Sequence, residues 1–277
     1  MKTSLKILLW LLATTWISAC TTKIPIVAVQ LMDDDGTNRA PITPEEVHQW
    51  VDHANKTWGK KGYKFKFNEK KDFIQLYSTV LNTQPPDNDD PAWEFYRVNG
   101  NFIAMLLPSN RLPVFFRQRG GAGWSWGPGD TNFVSMPSYT NTCISKPSAN
   151  KPCPAGCCPN NTLLSHELGH FYGLAHTFTD TACSAVTLNN TNGDVNGQLP
   201  VGDDDVHDTP PDPGAACAPT TSLDCPGGKV VVNGTTFEPP WKNFMTYHDC
   251  LPERISSDQA GVIKLSRKHP WRKRLED

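Results

Sequence analysis

HELGHFYGLAH, His166 to His176, is the stretch that decides how this chain is read, because it fits the spacing H-E-x-x-H-x-x-G-x-x-H. His166 and His170 lie four apart, so on a helix their imidazoles share a face one turn apart and can converge on one ion. Glu167 is rotated about 100° around the same helix, where it can reach a water at that ion without becoming a ligand, and is the natural general base. Gly173 falls where a helix beginning near Leu163 should stop, since glycine accepts the left-handed conformation that turns the chain out. That turn can return His176 to the same ion. Three histidines leave one tetrahedral position of a zinc open, which marks a catalytic rather than a structural site.

A second element, NFMTY from Asn243 to Tyr247, follows about seventy residues later. Between the two run Thr177-Phe178-Thr179, Cys183, the segment GDDDVHDTP from Gly202 to Pro210, Cys217 and Cys225, with Cys250 beyond. Taken together these residues resemble the metzincin zinc metallopeptidases, and among them the pappalysin (cytophagalysin, ulilysin-like) family, over roughly residues 24–268 and most clearly from Thr162 onward. The resemblance implies an α+β fold. In it, a two-lobed catalytic domain holds a twisted mixed β-sheet and the active-site helix in its N-terminal lobe. The C-terminal lobe is irregular and disulfide-stapled, with a Met-turn and a closing helix. By the same resemblance Met245 is the floor beneath the three imidazoles, and Tyr247 is a residue that can ligate zinc at rest and swing to the oxyanion. It also implies the pairings Cys183–Cys217 and Cys225–Cys250. Cys143, Cys153, Cys157 and Cys158 have no counterpart in that pattern and are expected to staple a local loop.

Asp203, Asp204, Asp205 and Asp208 are a candidate calcium site, since that cation takes several oxygens, and the resemblance supports it. A solvated acidic loop is the alternative. Asp249, just after the Met-turn, can lie on the pocket for the residue after the cut and favour Arg or Lys there.

Length and composition fit one folded enzyme domain. A chain of 277 residues with 38% hydrophobic and 19% charged residues can bury a sizeable core, and a net charge of −2 offers no basic footprint for nucleic acid. The stretch from Lys264 to Arg274 holds six Lys or Arg and reads as a solvated face at the end of the domain. A monomer is expected.

At the N-terminus, Lys2 and Lys6 precede an apolar run from Ile7 to Trp16 that is too short to span a bilayer, and small residues follow. This is the shape of a secretory signal over residues 1–19. Ile17-Ser18-Ala19-Cys20 resembles a bacterial lipobox, so Cys20 is the expected lipid-modified N-terminus, facing periplasm or cell exterior; ordinary cleavage and full secretion is the alternative. Removing Cys20 leaves eight cysteines, which suits disulfides in an oxidising compartment. Residues 20–23 then form a short tether and 24–277 the catalytic domain, with lobes of about 24–176 and 177–277. That leaves no room for a pro-domain at this end, and the mature enzyme is expected to be active without trimming.

Periodicity supplies the coarse elements. Ile24 to Leu31 predicts a central strand, and Thr43-Pro44-Glu45-Glu46 opens a helix with a capping box and a core-facing stripe of Val47, Trp50, Val51, Ala54 and Trp58. Tyr63 to Phe67 predicts a half-buried strand; Phe102 to Leu107 and Leu112 to Phe116 read as further strands. Asp87 to Asp90, among prolines, reads as a loop, and Ser256-Ser257-Asp258-Gln259 opens a closing helix to about Lys268. By the metzincin resemblance, the strand after the glycine- and tryptophan-rich turn Arg119 to Gly129 is the sheet edge above the cleft, so residues near Gly123 to Phe133 are expected to line the unprimed cleft, where an extended peptide can add as a strand; a packed aromatic turn is the alternative.

The chemistry so implied is zinc-dependent hydrolysis of protein or peptide substrates. Two rivals stand beside it: a surface-anchored binding lipoprotein with a vestigial zinc site, which the intact Glu167 disfavours, and a zinc amidase acting on cell-wall peptides.

Overall fold

The central strand β1 (Thr22–Met32) is apolar along nearly its whole length, and in the computed structural model it is buried from Ile24 onward because both faces of the sheet are covered. The structure describes residues 21–86, 90–119, 122–138, 162–178, 204, 206–214, 228–232, 235–247 and 254–276. Successive side chains of β1 go to opposite faces. Ile24, Ile26 and Ala28 join one core, and Val27, Val29 and Leu31 join another.

The first core lies under helix α1 (Pro44–Trp58), whose predicted capping box and buried stripe are both present. Strand β2 (Tyr63–Lys66) follows and pairs with the first half of β1. A four-residue helix, α2 (Glu69–Asp72), leads into β3 (Phe73–Tyr77), which pairs with the second half of β1, so one flank of β1 is covered by two successive strands. On its other flank β1 pairs with β4 (Leu112–Arg117), which pairs with β5 (Val134–Pro137). All these pairings are parallel. The expected mixed character reduces to one antiparallel bridge, Trp124 with Ser135, at the β5 edge.

Phe102 to Leu107 is not a strand. It falls mostly within helix α3 (Pro91–Leu106), which covers the second core, with Asp90 accepting the Ala92 amide at 2.7 Å as N-cap and Pro91 in the first turn. Trp93, Tyr96, Gly100 and Ala104 form its buried face at helical spacing. Phe102 and Leu106 face outward, 54% and 67% exposed, and this outward apolar run is what imitated a strand.

Helix α4 (Leu163–Phe171) lies against α1 in the first core. Beyond it come the short hairpin β6 (Val230–Val232) and β7 (Thr235–Phe237), then α5 (Ser257–Ser266) with the predicted capping box, and α6 (Pro270–Lys273). The basic tail is not simply a solvated face. Arg272 is fully buried: its Nε donates to the Phe171 carbonyl at 2.8 Å, and its Nη atoms to Thr131 O at 2.7 Å, Trp126 O at 3.3 Å and Asn132 Oδ1 at 3.3 Å. No helix among the described residues is long and apolar enough to cross a membrane.

Candidate zinc active site

Helix α4 ends as its glycine predicts. Gly173 takes φ +86°, its amide reaches His170 O at 2.8 Å, and the Leu174 amide reaches Gly169 O at 2.9 Å, a Schellman closure that turns the chain back over the helix end. Leu174 O then accepts from His170 Nδ1 at 2.8 Å, while Phe244 O accepts from His166 Nδ1 at 2.8 Å. With both Nδ1 atoms committed as donors, the lone pairs of His166 and His170 lie on Nε2.

Those two Nε2 atoms and that of His176 stand 3.0 to 3.2 Å from one another. Tetrahedral zinc with bonds of 2.0–2.1 Å would space its nitrogens by roughly 3.3 Å. Three neutral imidazoles aiming lone pairs at one point repel unless a cation sits there, so the residues present fit zinc. Their protonation state agrees. Burial lowers all three pKa values, His166 well below 6.5, His170 to about 4 and His176 to about 3, so the ligands are neutral near pH 7. Among the described residues this is the one group of three or more His, Cys, Asp or Glu with metal-holding geometry.

Glu167 is buried, and its Oε2 has no hydrogen-bond partner among the described residues. Burial pushes its carboxyl up to about 8, with the nearby Arg117 guanidinium acting the other way. A buried acceptor without a protein donor is costly unless something else supplies one, and a water proton meets that need. A Cβ on Gly123 would stand 2.4 Å from Glu167 Oε1, so only glycine lets the edge segment lie this close to the base. Gly123 touches the base, whereas Trp124, Trp126 and Phe133 turn inward onto the core beneath α3.

The Met-turn lies beneath the histidines. Met245 is fully buried, and a Cβ on Gly169 would stand 2.3 Å from its Sδ, so the second variable residue of the histidine motif must be glycine for the floor to rise this high. Gly169 was not among the residues singled out from sequence, because the motif leaves that position open. Asn243 Oδ1 accepts the Met245 amide at 2.9 Å, and its Nδ2 donates to Gln259 Oε1 at 2.9 Å, which ties the turn to the first turn of α5. Tyr247 is 54% exposed, with its ring 5.4 Å from that of His166 and 4.6 Å from that of His176, at the open side of the site.

Of the acidic run, Asp204 is buried, accepts from Thr209 Oγ1 and from Gln259 Nε2 at 3.3 Å, and is pushed up to about 6 by burial. Asp208 accepts the Ser257 and Asp258 amides at 2.7 and 3.0 Å, capping α5. Both carboxylates thus serve protein donors. Asp203, Asp205, Asp249, Cys20, the pairs Cys183–Cys217 and Cys225–Cys250, and Cys143, Cys153, Cys157 and Cys158 lie outside the described residues. A cavity of about 470 Å³ lined by His48, Lys64, Lys71 and Arg111 sits at the β2 edge, away from the histidines.

Residues 156–265 match the family model Peptidase_M43, described as pregnancy-associated plasma protein-A, and this span holds all three histidines, Glu167 and the Met-turn. The chain is a zinc metallopeptidase that resembles the pappalysins over the matched residues. Among solved structures it is similar to one described as mirolysin in complex with compound 9, at 13% identity, over 92% of this chain and 96% of that one, with a TM-score of 0.57. That likeness concerns the fold alone. A chaperone–substrate complex aligns over 92% of this chain and 35% of that one at 12% identity, but its TM-score of 0.38 carries no argument. No curated protein matches.

Proposed function

We propose that this metallopeptidase is an endopeptidase that cuts extended polypeptides outside the cytoplasm while held at a membrane by a lipid on Cys20. The observation that carries the reading is a buried carboxylate oxygen on Glu167 that has no hydrogen-bond partner among the described residues, one residue from a converged histidine triad and in contact with Gly123 of the sheet edge. Zinc held by the triad supplies a Lewis acid and lowers the pKa of a water toward about 7. Glu167 takes a proton from the attacking water and later delivers it to the leaving amine. Tyr247, on the open side, is placed to donate to the oxyanion, a contribution of about 3 kcal/mol for donors of this kind. The segment around Trp124 is held to β5 through Ser135, with amide-to-carbonyl distances of 2.7 and 2.8 Å, and its outer edge can accept a substrate as a further strand. That arrangement favours extended chains over the compact cross-links of a cell wall.

The test is digestion of an unbiased peptide mixture, with and without a zinc chelator, read by mass spectrometry. Internal cuts that vanish with the chelator support the endopeptidase reading; release of cell-wall fragments with no peptide cuts would replace it by the amidase. For the anchor, labelled fatty acid should enter the wild-type chain and not Cys20→Ala.

A further inference from the structure

We infer that Asp212 is a positioning residue of the zinc site, acting on the third histidine and the Met-turn together; the inference rests on the metallopeptidase reading above. Asp212 lies outside both the histidine motif and the Met-turn, and its carboxylate is fully buried. Its Oδ2 accepts from two hydroxyls, Thr177 Oγ1 at 2.9 Å and Thr246 Oγ1 at 2.9 Å, while Oδ1 accepts the Gly214 amide at 2.9 Å. Thr177 directly follows His176. Thr246 lies between Met245 and Tyr247. One carboxylate oxygen therefore ties the segment of the third ligand to the turn that carries the floor and the oxyanion tyrosine.

The surroundings give this tie little slack. The Thr177 amide reaches Met245 O at 3.2 Å, Phe178 bridges Asp212 along the backbone, and the Phe178 ring stacks on His176 at 4.8 Å and meets Tyr247 at 4.7 Å. His176 sits on the short segment after the Gly173 turn rather than on the rigid helix that holds the other two ligands, so its position needs fixing from outside. A buried carboxylate is costly unless its oxygens are satisfied, and charge-assisted bonds from three donors hold the group and its partners in one arrangement. An amide cannot copy this. If asparagine offers its oxygen to the two threonines, its NH₂ faces the Gly214 N–H, donor against donor.

The test uses the full chain and reads zinc itself: affinity by competition with a chelating dye, and the visible spectrum of the cobalt-substituted protein. Asp212→Asn, Thr177→Val and Thr246→Val are each expected to weaken zinc binding, by about 10- to 100-fold for Asp212→Asn as is typical of groups that orient metal ligands, and to shift the cobalt bands. Thr177→Ser and Thr246→Ser keep the hydroxyl and should stay within about twofold of wild type. Should Asp212→Asn not fold, the valine and serine pairs decide. Wild-type affinity and spectrum in both valine variants would overturn the inference, whatever their melting temperatures do. Absence of zinc binding by the wild type would instead overturn the metal site beneath it.

Discussion

Glu167 is the residue on which the chemistry turns, and its surroundings say what its loss should do. It is not one of the three histidines that would hold the metal, so Glu167→Gln should leave zinc content unchanged while kcat/KM falls by about 10²- to 10⁴-fold, the range for a general base; near-normal turnover would assign the proton to another group. Tyr247→Phe should lower kcat by about 10²-fold with little change in KM. The buried ionisable groups also set a pH dependence for the metal-free protein. Between about pH 4.5 and 6.5 unfolding gains protons on His166, His170 and His176 and releases one from Glu167, so stability rises with pH there; between 6.5 and 8 only the Glu167 release remains, so stability falls. Melting of chelator-treated protein should therefore peak near pH 6.5, and a steady rise to pH 8 would contradict the burial of Glu167. At this scale the ligands, the base, Gly173, Met245 and Tyr247 were legible because each has a fixed offset within a motif. Gly169 and Asp212 were not, since their roles come from close approach of segments far apart in sequence.

Elements were legible where one local signal dominated. The capping boxes at Thr43 and Ser256 fixed the starts of α1 and α5, and the unbroken apolar run of β1 marked a strand buried on both faces. Helix α3 was missed because two signals competed. Its Asp90-Pro91 start closes an acidic, proline-flanked stretch with the composition of a loop, and its outward Phe102 and Leu106 give the far half the apolar look of a strand. The two faces should respond differently to mutation. Phe102→Ser, on the exposed face, should change stability by no more than about 0.5 kcal/mol, while Trp93→Ala, which loses its packing on Trp124 and Tyr96, should cost about 3–5 kcal/mol in chemical denaturation. Equal effects would mean that α3 does not lie this way round.

Across the whole molecule, the last helix reaches back to the first lobe. Arg272 lies over the Phe171 ring at 3.4 Å and bonds the end of α4 and the segment from Trp126 to Asn132, with no carboxylate among these partners, and burial pushes its guanidinium down to about 9. A count of basic residues could not reveal this, because composition does not say which of six charges is internal. Arg272→Met should cost about 3 kcal/mol, since several carbonyls lose a charged donor, and Arg272→Lys should not restore it, because an ammonium cannot span the same fork. The metal site is where these scales meet: a helix, a glycine turn and a distant loop place three nitrogens around one point. The most direct test is zinc K-edge X-ray absorption on the purified chain with its metal content. One zinc per chain, with three histidine nitrogens at about 2.0–2.1 Å, one further light atom, and loss of that shell in His176→Ala, is the result expected. Sulfur in the first shell, or a chain that retains no zinc, would contradict it.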